Sequence, residues 1–254
     1  MAINSVSTPN VVCRIEDAAS TWSQPANSVD YVHIRYLVGS IPDWDALFKE
    51  AFRVLKPGGY VESLEPSSIF QSDDGSVKEG SAIDRWGKVF NEGGRKIGRT
   101  FNIIGEDVQR TGMIHAGFGE PVVDNFKVPI SPWPEDKKWR EVGRCYQMTM
   151  EQDVEGKWPG HTREMVPEKC PLTVLVAPGY VLYMFSSVMG WTVDMVKVYI
   201  EELLSEVRDE TIHGYFDLRN VYARKPDVDE GDVVSDGWGE KGSAEVRTSA
   251  RPVG

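Results

Sequence analysis

The residues best suited to proton transfer in this chain are its four histidines, and His33 has the most suggestive position. It lies in the run Val29–Ile34, whose β-rich composition predicts a short buried strand. An imidazole near the end of such a strand could line a pocket or accept a proton from a hydroxyl, and it could equally be fixed there by packing alone. A structural role is favoured for His115 and His213, while His161 lies in an irregular Pro-rich stretch.

Arg35 follows the same strand directly. Its guanidinium could hold a carboxylate through two parallel hydrogen bonds, or it could form a surface salt bridge. The sequence contains no Ser-His-Asp arrangement, no phosphate-binding loop and no metal-ligand spacing, so no metal site is predicted. The three cysteines are scattered and fit no disulfide framework, which predicts an intracellular location, cytoplasmic or nuclear.

Composition narrows the function classes. The chain has 254 residues, and a hydrophobic content of 41% is enough for one domain with a core. The net charge of −11 argues against a nucleic-acid surface, because neutralising phosphates requires clustered Lys and Arg. No uninterrupted apolar run is long enough to span a membrane, and the first residues lack the apolar segment of a secretory signal.

The elements that must position His33 and Arg35 form a strand–helix–strand unit. Asp43 suits a helix N-cap, and Pro57–Gly59 stops the helix. Tyr60–Leu64 reads as the next strand, so the short connections predict a right-handed parallel crossover. One apolar helix face is formed by residues at helical spacing, namely Trp44, Leu47, Phe48, Ala51 and Leu55.

Further elements are predicted from periodicity and turn residues. Ser67–Gly80 reads as a polar loop. Helices are predicted at Ser81–Phe90, Gly105–Gly112, Lys138–Met150 and Thr192–Arg208, and strands at Val122–Ile130 and Ile212–Arg224. Residues 1–226 form the predicted domain, and residues 227–254 a disordered acidic tail. Within the domain, residues 157–178 are an anomalous Pro-rich insertion that reads either as a retained intron or as a genuine loop.

Several motifs in a fixed order resemble class I S-adenosylmethionine-dependent methyltransferases, in particular the LaeA-like fungal group tied to secondary metabolism. The matching segments are Asn10–Ala18 (NVVCRIEDA), Asn27–Arg35 (NSVDYVHIR), Trp44–Pro66, Gly190-Trp191, Ile212-His213 and Tyr222–Pro226 (YARKP). The resemblance implies an α/β, Rossmann-like class I methyltransferase fold with an incomplete, mostly parallel sheet and added helices.

The first βαβ half of that fold is not found in the sequence. In the family, this half carries the Gly-rich loop for the methionine part of the cofactor and the acidic residue for its ribose. The resemblance identifies Glu16–Ala18 as the adenine-proximal element at the end of the third strand. It therefore implies Asp17, Ala18 and Arg35 as cofactor-binding residues, in an N-terminally truncated chain with impaired S-adenosylmethionine binding.

The resemblance also predicts that the third strand of the family lacks its neighbouring strands in this chain. The family's third strand would be Val11–Ile15 and its fourth Val29–Ile34, but the two strands that separate them are missing. The third strand must either slide in beside the fourth or detach and leave an exposed apolar edge. Detachment predicts self-association or a protein partner at that edge.

Three functions remain open. The parent reaction is methyl transfer from S-adenosylmethionine to an oxygen, nitrogen or carbon nucleophile of a small-molecule metabolite, impaired in this chain. A second is a cofactor-independent enzyme of a biosynthetic cluster that catalyses a cyclisation or rearrangement on a methyltransferase fold. A third is a non-catalytic partner or regulatory protein.

Overall fold

The computed structural model describes residues 10–154 and 180–227. Within them the strands β1 (Val29–Arg35), β2 (Leu55–Gln71), β3 (Val122–Pro129) and β4 (Tyr215–Arg224) form one sheet in the order β1-β2-β4-β3. Helices cover parts of both faces, so the predicted α/β class is confirmed. The sheet is mixed rather than mostly parallel, because β4 enters between β2 and β3 and runs antiparallel to both.

The predicted strand–helix–strand unit is β1, α1 (Trp44–Val54) and β2, with β1 and β2 parallel. The Asp43 carboxylate accepts a hydrogen bond from the Ala46 amide at 2.9 Å, which confirms the predicted N-cap. The helix buries one face of five residues against the sheet: Trp44, Leu47, Phe48, Ala51 and Val54.

β2 is longer than the predicted Tyr60–Leu64, and it includes residues predicted as a polar loop. Phe70 and Gln71 pair with Phe216 and Tyr215 of β4, beyond an irregularity in the register after Pro66. Phe70 is only 4% exposed, because it packs into a core formed with helices later in the chain. This burial explains why the strand continues past the proline. The loop prediction for Ser67–Gly80 is therefore wrong over its first five residues.

The remaining helices build a second core on one end of the sheet. α2 (Ala82–Lys96), α4 (Lys137–Val154) and α6 (Val193–Arg208) confirm three predicted helices. A short α5 (Tyr180–Leu182) continues directly into a π-helix (Tyr183–Val188). These helices pack their aromatic residues against β2, β3 and β4 through Phe70, Val128 and Phe216.

α3 (Val108–Ala116) packs with α1 on the opposite face. The prediction placed this helix at Gly105–Gly112, and the structure displaces it toward the C-terminus. Asp107 has a left-handed backbone (φ 51°), so a regular helix can begin only after it. The strand predicted at Val122–Ile130 is confirmed as β3, and the one predicted at Ile212–Arg224 as β4, although β4 begins at Tyr215.

The prediction that Val11–Ile15 is a strand is wrong. This segment has no regular secondary structure, and Val11, Val12 and Ile15 are 53%, 78% and 85% exposed. A strand needs a neighbour about 4.8 Å away, and within the described ranges none lies beside this segment. Of the two predicted outcomes the structure has the detached one, and β1 is left at the edge of the sheet.

One part of the sheet surface is uncovered by the described residues. On the face opposite α1, the side chains of Tyr31, Tyr60, Val122 and Phe126 are 53%, 44%, 46% and 44% exposed. The Pro-rich stretch 157–178 lies outside the described residues, as does all but the first residue of the predicted tail. No helix in the part of the chain that the structure describes is long and apolar enough to cross a membrane.

Candidate functional site

A groove of about 970 Å³ lies along β1. Its walls come from β1, the loop after it, α1 and the segment between Val12 and Pro25. The groove collects three of the predicted site residues, because Ala18, His33 and Arg35 all line it. Apolar and aromatic side chains supply much of the remaining wall, among them Trp22, Tyr31, Leu37 and Leu47. The edge strand of the sheet thus forms part of the groove that contains these predicted residues.

His33 belongs to a hydrogen-bonded network across the open face of the sheet. Register in the parallel pair places His33 opposite Glu62, and its Nδ1 lies 2.9 Å from Glu62 Oε2. The Tyr31 hydroxyl donates to the same carboxylate oxygen. Asn220 Nδ2 donates to the other oxygen at 2.8 Å. One carboxylate therefore gathers a histidine and a tyrosine from β1 and an amide from β4.

The ionisation of this network follows from its contacts. The hydroxyl of Tyr31, with further donors from Asn220 and His33, lowers the pKa of the Glu62 carboxyl. Partial burial and the Glu62 carboxylate raise the pKa of Tyr31 to about 12. At neutral pH Glu62 is therefore an ionised acceptor and Tyr31 a protonated donor. Glu62 is not among the residues predicted from sequence, although its place in the strand that follows β1 and α1 was a usable signal.

Arg35 lies at the end of β1 with an exposed side chain. Within the described residues, no carboxylate lies within 4.0 Å of its guanidinium. The surface salt bridge that the sequence allowed for Arg35 is therefore not formed with any of these residues. Because Arg35 also lines the groove, its planar set of donors is available to an anionic group bound in it.

Asp17 lies in a local turn beside the groove segment. Its carboxylate accepts from the Ala19 amide at 2.9 Å and from the Ser20 hydroxyl at 3.2 Å, so a local turn already uses both oxygens. Asp17 does not line the groove, whereas Ala18 does, and the Ala18 carbonyl accepts from Trp22 Nε1 at 3.1 Å. The structure therefore separates these two predicted cofactor-binding residues.

Glu65 shapes the loop that follows β1. Its buried carboxylate accepts from the Leu37 amide at 2.9–3.0 Å and from the Val38 amide at 2.9 Å. Burial raises the pKa of the Glu65 carboxyl to about 8, against the opposing effect of these two amides. Tyr36, at the start of the loop, has a left-handed φ of 55°, so the chain turns sharply here. Glu65 thus holds the turn that directly follows Arg35, a role that sequence reasoning also missed.

The other histidines in the described ranges form surface pairs away from the groove. His115 Nδ1 lies 3.1 Å from Asp45, and His213 Nδ1 lies 2.7 Å from Asp74. Across residues 10–154 and 180–227, no group of three or more His, Cys, Asp or Glu side chains could hold a metal ion.

Comparison with known proteins gives relatives over most of the chain. The probable methyltransferase tdiE of Emericella nidulans is 28% identical over 227 residues, which cover 89% of this chain and 63% of tdiE. The secondary metabolism regulator laeA of Aspergillus fumigatus is 28% identical over 210 residues, which cover 83% of this chain and 50% of laeA. Among solved structures, Haemonchus contortus phosphoethanolamine N-methyltransferase 2, in complex with phosphomonomethylethanolamine and S-adenosylhomocysteine, aligns with a TM-score of 0.38 and 16% identity, covering 81% of this chain and 35% of that one.

A family model described as a methyltransferase domain matches residues 3–102, which include β1, α1, β2 and the groove. The chain spans between half and two thirds of the length of the two curated relatives. The chain is thus similar over most of its length to tdiE and laeA, and its methyltransferase-domain match includes the residues that line the groove.

Proposed function

We propose that this chain is a secondary-metabolism protein of the methyltransferase family that takes a small metabolite into the groove along β1. In this chain, methyl transfer from S-adenosylmethionine to an oxygen, nitrogen or carbon nucleophile is impaired. The observation that carries the proposal is the composition of the groove, which offers a metabolite apolar walls and an arginine but gives the methyl donor few of the groups that it requires.

S-adenosylmethionine is the cofactor of the family. A Rossmann-like site holds such a nucleotide through glycines that allow close backbone approach and through a free carboxylate that binds the ribose hydroxyls. No glycine lines the described groove. Its one lining carboxylate, Glu16, already accepts from Ser23 Oγ at 2.6 Å and from the Ser23 amide at 3.3 Å. The residues present therefore do not fit this cofactor.

The expected loss of affinity is large. A hydrogen bond to a charged group contributes about 1.5–3 kcal/mol, so losing several of them weakens binding by orders of magnitude. Methyl transfer depends mainly on alignment of donor and nucleophile, which a weakly held donor cannot provide.

Calorimetric titration of the full chain with S-adenosylmethionine tests this proposal, with a cooperative thermal melt of the same sample as the control for folding. We expect no saturable heat at micromolar donor. A micromolar dissociation constant would contradict the proposal and favour an active methyltransferase.

A second candidate function, a non-catalytic partner protein, is favoured by the edge of the sheet. The outer edge of β1 has no strand partner in the described ranges, and the nearby Val12 and Ile15 side chains are largely exposed. Unpaired backbone groups beside exposed β-branched residues favour strand pairing with another chain or a second copy.

Size-exclusion chromatography with light scattering tests this candidate. We expect a concentration-dependent mass above that of the monomer, and a lower mass when Val12 and Ile15 are both replaced by Lys. The matched control is I69K, which places the same charge at a residue that is 45% exposed on β2. A monomer at all concentrations would exclude self-association through this edge.

We also propose an intracellular location, cytoplasmic or nuclear, which the absence of a disulfide at Cys13 within the described ranges supports. The acidic segment 227–254 remains a proposed tail whose removal leaves folding unchanged. Limited proteolysis followed by a melt of the shortened chain tests this, and loss of the cooperative transition would show that the segment is required for folding.

A further inference from the structure

We infer that His33 is a proton acceptor for a hydroxyl bound in the groove, and that Glu62 is the positioning residue that prepares it. The substrate class is an apolar molecule with an acidic hydroxyl, such as a phenol. This inference rests on the groove being the substrate site of the proposed function, but it does not involve the methyl donor.

The contact with Glu62 identifies the protonated ring nitrogen of His33. An ionised Glu62 carboxylate can only accept hydrogen bonds, so the nitrogen 2.9 Å away, His33 Nδ1, must carry the proton. In the neutral imidazole this leaves the lone pair on Nε2. Within the part of the chain that the structure describes, Nε2 has no hydrogen-bond partner, and the His33 side chain is 39% exposed. The nitrogen that can accept a proton is therefore the free one.

A histidine beside a carboxylate is common on protein surfaces, but the His33–Glu62 pair differs from the pairs of His115 and His213 in its burial and its further contacts. The carboxylates of Asp45 and Asp74 are 47% and 46% exposed, whereas that of Glu62 is 27% exposed. Glu62 is also held from two other directions, by the Tyr31 hydroxyl and by Asn220. The Tyr31 ring stacks on the imidazole with a centroid distance of 6.2 Å. Of these three histidines, only His33 lines the groove.

This arrangement supports the transfer of a proton from a bound hydroxyl to His33. The substrate O–H bond breaks, its proton bonds to His33 Nε2, and the substrate oxygen keeps the electron pair. The new imidazolium charge lies beside Glu62, and Arg35 lines the same groove as a cation for the oxyanion. The proton returns to water when the ligand leaves, so the step consumes no further reactant. Trp22, Leu37 and Leu47 suit the apolar body of such a ligand.

The tautomer of His33 is measurable without any ligand. In ¹⁵N NMR spectra of the neutral imidazoles, assigned with H33Q, we expect the wild-type proton on Nδ1. E62Q, which removes the charge but keeps the shape, should shift this equilibrium, while the matched control D74N should affect His213 and leave His33 unchanged. A wild-type His33 protonated on Nε2 would overturn the inference even if E62Q fails to fold.

Proton transfer itself can be followed with 4-nitrophenol, whose anion is coloured. We expect the wild-type protein to raise the nitrophenolate fraction at fixed pH, H33Q to abolish this rise, and E62Q to reduce the transfer equilibrium by about threefold to tenfold. D74N should behave as wild type. Absence of the rise, or a rise that H33Q retains, would overturn the inference. Because no methyl donor is present, this result is independent of the calorimetric test.

Discussion

Replacing Glu65 with Gln should change how the stability of the protein depends on pH. Glu65 is fully buried, and its two carboxylate oxygens receive the Leu37 and Val38 amides. Gln keeps the size of the side chain and one acceptor oxygen, but it cannot ionise. The substitution therefore isolates the contribution of the buried charge.

The direction follows from the raised pKa of Glu65. Its value in the folded protein is about 8, compared with 4.5 for an unperturbed carboxyl, and burial is the main cause. Between these values the folded state binds more protons than the unfolded state, so the free energy of unfolding falls as pH rises. The stabilisation is fully present below about pH 4.5 and is lost as the pH rises through 8.

The magnitude follows from the same difference. Each unit of pKa difference corresponds to about 1.4 kcal/mol, so wild type should lose roughly 3 kcal/mol relative to E65Q between about pH 5.5 and pH 8. Because Glu65 is fully buried, solvent screening does not reduce this value. Other titrating groups contribute equally to both proteins and cancel in the difference.

Urea unfolding followed by tryptophan fluorescence, at four pH values across this window, gives the difference between wild type and E65Q. The matched control is E50Q: the Arg53 guanidinium lowers the pKa of Glu50, so its pH-dependent contribution lies below the window. A constant difference between wild type and E65Q would refute the reasoning. It would mean that the Leu37 and Val38 amides offset the cost of burying the charge.

Two further substitutions test the packing around the site. G39A should destabilise the protein by about 2–4 kcal/mol, because Gly39 has φ +72° and a Cβ there would lie 2.2 Å from the Phe101 ring. Gly75 has a similar φ of +69° with open space, so G75A should cost only about 1 kcal/mol in the same urea assay. K225M should cost about 2–4 kcal/mol, because the Lys225 ammonium donates to three oxygens at 2.7–2.8 Å. K56M, the matched control, removes an exposed ion pair and should change stability by less than about 1 kcal/mol. Equal effects of the two lysine variants would contradict a stabilising role for the Lys225 hydrogen bonds.

Local signals in the sequence were sufficient for the elements that depend on neighbouring residues. Asp43 and the apolar spacing after it predict α1, and Thr192 begins α6 by capping the Met195 amide at 3.2 Å. These features depend on residues within one or two helical turns, so no tertiary information is needed to identify them. The strand that contains His33 was predictable on the same grounds, but its burial was not: β1 lies at the sheet edge, only Ile34 of its seven residues is buried, and Arg35 ends the strand rather than following it.

The features that depended on distant pairing were not predictable. The extension of β2 past Pro66 needs β4, which lies about 150 residues later in the chain. The turn in which the Asp17 carboxylate accepts from Ala19 and Ser20 is a local feature, but the sequence does not indicate it either. Whether an Asp side chain accepts hydrogen bonds from nearby residues depends on the backbone geometry, which the sequence alone does not give.

The two carboxylates that build the site show where sequence reasoning reaches its limit. Glu62 and Glu65 are three positions apart in β2, and side chains in a strand alternate between faces, so the two point to opposite sides of the sheet. Glu62 meets His33 on the open face, and Glu65 meets the amides after β1 on the other side. Both contacts depend on a single register, which shifts between Val29 and Tyr31. A slip of one residue would send each carboxylate to the wrong face. The pairing of β1 with β2 therefore sets both the contact that orients His33 and the turn that follows Arg35.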